Sequence, residues 1–301
     1  MKIKKTSVGA ALLVAAIVPL ALGAGQASAH QAPAAVPQAA PVKHGMGLDL
    51  AGLRAAKKNH AVKAVDTAQA PRPRLGAAPS SYDLSQYALS PGDQGQVGSC
   101  VTWATGYTGI GLLMHEQGIS GSPMAPMYIY SQIAKGVDRG TWASVALPME
   151  QQQGIDTKAD YWQGDFDYTT QPDAAERANA AHYKISGYTE LPTSGGSTTK
   201  NAIMNAISQG EPVAIGFQVH QSFMSLNSTT AANYTYLPGG RRDKIVGGHE
   251  VTIVSYNASG VRIENSWGTS WGAGGFFTVP WSFFDTGDVN EIHAIGKLVQ
   301  Q

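Results

Sequence analysis

The chain has 301 residues, of which 14% are charged, and its formal net charge is zero. A chain without a strong overall field is not expected to bind nucleic acid. The zero is the sum of two opposite regions, because residues 30–78 hold seven lysines and arginines against two acids, and residues 79–301 hold eleven against nineteen. A segment of net charge +5 therefore precedes a region of net charge −8.

The first 29 residues have the pattern of a cleavable signal peptide. Three lysines stand among the first five residues, an apolar run follows over residues 8–22, and Ala27-Ser28-Ala29 fits a cleavage site. The run is short for a membrane span and is interrupted by Pro19. The mature protein is therefore expected to begin near residue 30, outside the cytoplasm, in the periplasm or the medium, with no membrane attachment after removal of the signal.

Residues 30–78 are predicted to be a basic pro-segment or linker, called the pro-segment below. Residues 30–42 are rich in Ala, Pro and Gln and favour an extended or disordered chain. Residues 48–65 could form one basic helix, which the prolines at 71 and 73 would end. The composition changes near residue 78, so residues 79–301 are predicted to be the folded domain.

Within this domain the apolar pattern predicts helices first and strands second. Helices are expected over residues 99–115, 122–134, 142–153 and 201–208. Three glycines in the first helix, Gly106, Gly109 and Gly111, predict close contact with another element. Strands are expected over residues 212–219, 251–256, 261–265 and 276–279, the middle two forming a hairpin. The fold class is therefore α+β, with a helical half over about 85–190 and a β half over about 191–301.

The single cysteine, Cys100, is followed 149 residues later by His249 and 165 residues later by Asn265. One cysteine cannot form an internal disulfide, so a structural bridge is excluded. A lone cysteine with a distant His and Asn is a candidate nucleophile with its base and orienting residue, although a buried inert thiol is the common alternative.

Three stretches make the sequence resemble the papain-like cysteine peptidases, and the resemblance covers about residues 80–279. They are Gln-Gly-Gln-Val-Gly-Ser-Cys ending at Cys100, Gly-His-Glu-Val around His249, and Asn-Ser-Trp-Gly-Thr-Ser-Trp-Gly-Ala-Gly-Gly-Phe beginning at Asn265. The resemblance implies a helical half packed against a β-barrel-like half, with the active-site cleft between them. It also implies protein or peptide substrates. No histidine pair has metal-ligand spacing and no phosphate-binding loop is found, so neither a metal nor a cofactor is expected.

The resemblance gives each residue a role. Cys100 would be the nucleophile, with its thiolate favoured by a helix N-terminus and a neighbouring imidazolium. His249 would be the general acid and base, and Asn265 would orient its ring. Gln94 and the backbone N–H of Cys100 would bind the oxyanion. Trp267 would shield the bond between Asn265 and His249 from water.

The substrate-binding residues carry over with departures from the family pattern. Arg139-Gly140 stands where the family commonly has a glycine pair that grips the substrate backbone, and Arg139 could add a preference for acidic substrates. Gly216 and Phe217 are expected to border the pocket for the side chain two before the scissile bond, and Gly248 to bind substrate. A cysteine common three positions before the nucleophile is Val97 here, so that disulfide is absent.

The sequence thus predicts a secreted, monomeric thiol peptidase, an endopeptidase rather than an exopeptidase, made as a zymogen that residues 30–78 could inhibit. Two alternatives stay open at this point. One is a transpeptidase or acyl transferase that uses the same three residues, and the other is a non-catalytic peptide-binding module on the same fold.

Overall fold

The structure is a computed structural model that describes residues 44–59 and 77–299. The predicted signal peptide, the segment 30–42 and the part of the predicted basic helix after residue 59 lie outside the described residues. In the described part of the chain, no helix has the length and apolar character needed to cross a bilayer.

The predicted helices are present, with shifted ends. In the described part of the predicted basic helix, nine residues are helical. Asp49 caps them, because its side chain accepts the backbone N–H groups of Ala51 and Gly52. The helix predicted over 201–208 starts earlier, at Gly196. The described helices are α1 Leu50–Lys58, α2 from Cys100 to Gln117, α3 Pro126–Ala134, α4 Ala143–Gln152, α5 Ala174–Ala180 and α6 Gly196–Ser208.

The long helix α2 runs through the middle of the molecule and changes its winding. It consists of Cys100–Thr102, the π-helical stretch Trp103–Ile110 and Gly111–Gln117. Its glycines lie against neighbours as predicted, since a Cβ on each would come within 2.5 Å of a side chain. The side chains are Ile155 for Gly106, Ile295 for Gly109 and Leu89 for Gly111. A larger residue at any of these positions would require the neighbouring Ile or Leu side chain to shift.

The described strands are β1 Tyr82–Asp83, β2 Tyr188–Glu190, β3 Val213–His220, β4 Ile245–Tyr256, β5 Gly260–Glu264, β6 Phe276–Pro280 and β7 Val289–Ile295. All pairings between these strands are antiparallel, in the spatial order β2-β7-β3-β4-β5-β6, with β1 paired to β4. The predicted barrel-like half is therefore an open sheet. The hairpin of β4 and β5 forms as predicted, with Ile253 opposite Ile263.

Two apolar cores lie on either side of α2, which agrees with the predicted α+β class. One core belongs to the helices and includes Leu113, Tyr128 and Leu147. The other lies against the sheet and is rich in aromatic rings, among them Phe223 and Phe277. Burial of this apolar surface is the main force that holds the two halves together.

Two buried acids, Glu150 and Glu264, lie against α2 and hydrogen-bond to its hydroxyls. The Oγ1 of Thr105 donates to Glu150 at 2.6 Å, and that of Thr108 donates to Glu264 at 3.1 Å. Burial raises the pKa of both carboxyls to about 8. The folded protein therefore keeps these protons at pH values where the unfolded chain has released them.

We expect Glu150→Gln to make the protein's stability less sensitive to pH. The folded pKa of Glu150 is raised, so its contribution is fully present below the ordinary pKa of 4.5 and is lost as pH rises through about 8. Glutamine has no proton to lose. The melting temperature of the wild type should therefore fall relative to Glu150→Gln between about pH 5 and pH 8.

Asp160→Asn, an amide substitution at an exposed position outside the contacts of residues 44–59, supplies the matched control, and its melting temperature is measured at the same two pH values. An unchanged difference between the wild type and Glu150→Gln at the two pH values would show that Glu150 does not titrate in this way.

Candidate active site

Cys100 is the first residue of α2, as the sequence predicted for a nucleophile at a helix N-terminus. Its side chain is fully buried, and its Sγ accepts the backbone N–H of Gly47 at 3.2 Å. The backbone N–H of Glu250, the residue after His249, also lies within hydrogen-bonding reach of the thiol. The helix therefore brings the sulfur to the strand that carries the histidine.

A short hydrogen bond joins His249, on β4, to Asn265, the residue directly after β5. His249 Nε2 lies 2.7 Å from Asn265 Oδ1, an oxygen that also accepts the backbone N–H of Ser266 at 2.8 Å. Because Oδ1 is an acceptor, Nε2 must carry the proton, which leaves the lone pair on Nδ1. Nδ1 is buried without a hydrogen-bond partner among the described residues. The ring is thus fixed in one tautomer, with a basic nitrogen available for proton transfer.

Trp267 covers this hydrogen bond. Its ring stacks on His249 at 4.6 Å between centroids, and His249, Asn265 and Trp267 are all at most 1% exposed. Phe223 and Trp271 both pack edge-on against the Trp267 ring and fix its position. Water is excluded from the bond, which strengthens the orientation of the imidazole.

Gln94 is fully buried directly before residues 95–99, which lead to Cys100 and are called the cysteine loop below. Its Oε1 accepts the hydroxyl of Ser266 at 2.6 Å, and its Nε2 donates to the backbone oxygen of Val97 at 2.8 Å. A Cβ built on Gly45 would lie 3.1 Å from the same Nε2. The amide nitrogen of Gln94 is therefore held next to Gly45 of the pro-segment.

Residues 44–49 of the pro-segment occupy the cleft above these side chains. Besides the contact of Gly47 with Cys100, the indole Nε1 of Trp267 donates to the carbonyl of Gly45 at 3.1 Å. His44 stacks on the indole at 4.7 Å. Leu48 donates its backbone N–H to the carbonyl of Gly248 at 3.1 Å, so Gly248 binds a peptide backbone. Cys100 is thus covered by this stretch of the pro-segment.

Gly140 and Thr141 hold the same stretch from the helical half. Thr141 donates its N–H to Gly47 O at 2.8 Å and accepts the N–H of Asp49 at 2.9 Å. Gly140 has φ of +74°, and a Cβ there would lie 2.2 Å from the Gly47 carbonyl oxygen, so only glycine fits. The neighbouring Arg139 is exposed. Backbone pairing thus rests on Thr141, a residue that sequence reasoning missed although it directly follows Gly140.

Gly216 and Phe217 lie in different surroundings. The pro-segment side chain of Leu48 reaches Gly216, where its Cδ2 would lie 2.9 Å from an added Cβ. Phe217 instead packs in the core of the β half, with its ring edge-on to Phe223 at 5.3 Å and to His249 at 6.3 Å. We therefore propose Gly216 as a wall of a substrate pocket and Phe217 as a support for the histidine.

A polar link joins the cysteine loop to the loop that carries Gly140. Asp138 accepts the backbone N–H of Gly98 at 3.1 and 3.0 Å, one distance for each carboxylate oxygen. Tyr130 donates its hydroxyl to Asp138 and accepts the N–H of Gly140 at 3.0 Å. These hydrogen bonds position both loops without a disulfide. Sequence reasoning missed Asp138 and Tyr130, because no motif connects them with the cysteine.

The covered site holds Cys100 and His249 as neutral groups. Burial raises the pKa of the Cys100 thiol to about 11, against the lowering effect of nearby backbone N–H groups. Burial lowers the pKa of His249 to about 4, although its hydrogen bond to Asn265 opposes this. Both effects come first from exclusion of water, and the pro-segment is part of what excludes it. Departure of residues 44–48 would readmit water and favour the charged thiolate and imidazolium.

A sequence model of the papain family of cysteine proteases matches residues 78–283. Among curated proteins, an uncharacterized peptidase C1-like protein of Acanthamoeba polyphaga mimivirus is 26% identical over 208 residues, 65% of this chain and 66% of that protein. A cathepsin B-like protein of Giardia intestinalis is 36% identical over 83 residues, 26% of this chain and 25% of that protein. The chain thus spans just under two thirds of the viral relative and about a quarter of the Giardia protein.

Solved structures with a similar fold include cysteine proteases, one of them in its proform. Xylellain, a cysteine protease from Xylella fastidiosa, superposes with a TM-score of 0.68 at 21% identity, over 88% of this chain and 99% of that chain. A ragweed pollen allergen cysteine protease in its proform gives 0.63 at 18% identity, over 85% and 77% of the two chains. At these identities the likeness shows the fold, which agrees with the two-half architecture predicted from the sequence.

Proposed function

Because the chain belongs to the papain family of cysteine proteases, we propose that it is a thiol-dependent peptidase held latent by residues 44–59. The family match confirms the resemblance drawn from the sequence motifs. The observation that supports the activity most strongly is the hydrogen bond between His249 Nε2 and Asn265 Oδ1 at 2.7 Å. The next residue of the same strand, Glu250, directs its backbone N–H at the Cys100 thiol. This arrangement supplies a nucleophile, a base in a fixed tautomer and a residue that orients it.

In the proposed reaction the thiolate of Cys100 attacks the carbonyl carbon of a peptide bond. The carbonyl oxygen becomes an oxyanion, which would take hydrogen bonds from Gln94 Nε2 and the backbone N–H of Cys100. Imidazolium His249 gives its Nδ1 proton to the leaving amine, and a thioester forms between Cys100 and the acyl half of the substrate. Neutral His249 then takes a proton from water, the hydroxide attacks the thioester, and the acid and free thiol are released.

The path of residues 44–49 supports endopeptidase action. These residues pass from Trp267 in the β half, over Cys100, to Thr141 in the helical half, and a peptide chain therefore fits across the cleft on both sides of the nucleophile. An enzyme that accepts chain on both sides can cleave within a substrate. Peptide libraries blocked at both ends should be cleaved, with fragment masses that locate the bond.

The contacts in the cleft support autoinhibition by the pro-segment. Backbone hydrogen bonds fix Gly47, Leu48 and Asp49, while Leu53 of α1 is 1% exposed and joins the apolar core of the helical half. The pro-segment carries net charge +5 and residues 79–301 carry −8, and among the described residues the ion pair between them is Lys57–Glu190 at 3.5 Å. An exposed ion pair contributes about 0–1 kcal/mol, so backbone and apolar contacts dominate.

We expect Leu53→Asp to raise peptidase activity at neutral pH by at least about tenfold, because loss of a buried leucine contact costs roughly 2–5 kcal/mol. The charged side chain would detach α1 from the helical half and free the cleft. Initial rates of a fluorogenic peptide, measured on the full chain, give the comparison.

Ala55→Asp is the matched control, because it adds the same charge to an exposed position of the same helix. It should leave the rate near that of the wild type. Equal rates for wild type, Leu53→Asp and Ala55→Asp would contradict autoinhibition by this segment.

We also propose that the protein is exported, on the basis of its N-terminal lysines and apolar run. Mass spectrometry of the protein recovered outside the cytoplasm should give a chain that begins near residue 30. A chain that accumulates in the cytoplasm with its N-terminal 29 residues attached would contradict this.

A further inference from the structure

A cavity of about 160 Å³ lies in the β half, between helix α6 and the edge strand β2. Its apolar walls come from Leu191, which follows β2, from Ala202 and Ala206 of α6, and from Ala294 of β7. An apolar cavity of about 150 Å³ is large enough to hold benzene, so a molecule of about six non-hydrogen atoms fits here. None of the lining residues belongs to the catalytic site, and the proposed peptidase function makes no use of them.

The cavity is lined by one carboxyl group, that of Glu211, called the cavity acid below. Glu211 lies between the end of α6 and the start of β3 and is 6% exposed. Its Oε2 is buried and has no hydrogen-bond partner in the described part of the chain. Burial raises the pKa of Glu211 to about 8, although Lys297 opposes this effect. A buried carboxyl group without a donor is costly, and a ligand that brings a donor relieves that cost.

The charged residues around the cavity acid are already paired or neutral. Lys297 donates its Nζ to both oxygens of Glu116, at 3.1 and 3.2 Å. On β2, Glu190 pairs with Lys57 at 3.5 Å, and on β7 burial lowers the pKa of His293 to about 3, so its ring is neutral. The residues of α6 that line the cavity are uncharged. Within residues 44–59 and 77–299, the cavity acid therefore has no ion-pair partner.

The other polar groups that line the cavity leave acceptors free. The Oγ1 of Thr189, on β2, is buried without a hydrogen-bond partner among the residues that the structure describes. Gln209, the residue after α6, donates its Nε2 to the carbonyl of Asn205 at 3.0 Å, which leaves its Oε1 as an acceptor. A carboxylate, a hydroxyl and an amide oxygen suit a head group with several donors. A primary ammonium group has three donors and no acceptor.

We propose that this cavity binds a small primary amine in its ammonium form. The nitrogen would donate to Glu211, and an alkyl chain of about five carbons would lie against the apolar walls, where its burial is favourable. Binding exchanges one cation for another, because the proton of the Glu211 carboxyl group passes to the buffer and the ammonium group stays beside the carboxylate. The site is distinct from the proposed active site, and its occupation needs no peptidase reaction.

The probe is pentylamine, and the measurement is isothermal titration calorimetry on the full chain. The wild type should bind pentylamine at a single site. Pentanol, which has the same chain length and no charge, should bind at least about tenfold more weakly, because hydrogen bonds between charged groups are the strong ones. Glu211→Gln should weaken pentylamine binding at least about tenfold as well. Asp160→Asn, which removes an exposed acid outside the cavity, should leave the dissociation constant unchanged.

A second variant fills the cavity and keeps the acid. Ala202→Leu places a larger apolar side chain in the wall formed by α6 and should weaken pentylamine binding at least about tenfold. The matched control is Asn201→Leu, which adds the same side chain at the neighbouring exposed position of the same helix, outside the cavity. Asn201→Leu should bind pentylamine like the wild type.

The pH dependence of binding gives a third measurement. An alkylammonium group stays charged below about pH 10, as lysine does. The cavity acid, with a pKa of about 8, must release its proton to pair with the cation. The dissociation constant should therefore fall about tenfold between about pH 6 and pH 7 in the wild type and stay constant in Glu211→Gln.

Three results would overturn the proposal. The first is equal affinity of the wild type for pentylamine and pentanol. The second is equal affinity of the wild type and Glu211→Gln for pentylamine. The third is the absence of pentylamine binding to the wild type at about pH 8, where the cavity acid releases its proton most readily over the range tested.

Discussion

Replacing Cys100 with alanine is expected to reduce peptide hydrolysis by about 10⁶-fold, to the level left when a catalytic nucleophile is removed. The side chain is buried and small, and the loss of one sulfur that accepts the N–H of Gly47 should leave the fold intact. Rates should be measured in the Leu53→Asp background, so that the pro-segment does not mask the effect.

The control for Cys100→Ala is the melting temperature, which should stay within a few degrees of the parent. A thiol alkylator should inactivate the parent and add one label, since the chain has a single cysteine. Peptidase activity of Cys100→Ala, in a preparation free of contaminating protease, would contradict the mechanism in which the Cys100 thiol is the nucleophile.

Replacing Gln94 with alanine is expected to lower kcat by about 10²–10³-fold, the usual cost of a lost oxyanion donor. The Nε2 of Gln94 is fixed by Val97 and Ser266 in the position where the substrate carbonyl would pass. A donor that acts mainly on the transition state changes kcat more than KM. The comparison therefore needs full saturation curves.

Ser266→Ala is the matched control for Gln94→Ala. It removes the hydroxyl that anchors Gln94 Oε1 but keeps the amide donor, so its effect should be less than about tenfold, the cost of a single neutral hydrogen bond. A rise in KM with kcat unchanged in Gln94→Ala would contradict the oxyanion role.

Sequence patterns predicted the elements with strong apolar periodicity and missed those fixed by tertiary contacts. The helix that starts at Cys100 was predicted, but not its π-helical stretch, because winding depends on what lies against Gly106 and Gly109. The short helix α5 was missed although Asp173 and Glu176 form a capping box. Strand β7 was missed because its acidic and histidine residues conceal its apolar pattern, and their burial becomes visible only in the sheet.

The candidate site shows the same division. Cys100, His249 and Asn265 were found because their neighbours in sequence are distinctive. Glu250 stands beside His249 in the quoted motif. Its contact with the buried Glu291 was not predicted, because Glu291 lies 41 residues later on a strand that was not predicted. Contacts across a sheet leave no local signal in one sequence, so only the structure shows such pairs.

The most direct test of a thiol peptidase is to trap the acyl-enzyme. The full-length Leu53→Asp variant would be mixed with an activated ester of a short peptide acid blocked at its N-terminus, quenched in acid and analysed by intact mass and peptide mapping. The expected result is a burst of one leaving group per protein and a mass increase equal to the acyl group, located on Cys100. Release of the leaving group with no adduct, at a rate unchanged in the same variant carrying Cys100→Ala, would contradict it.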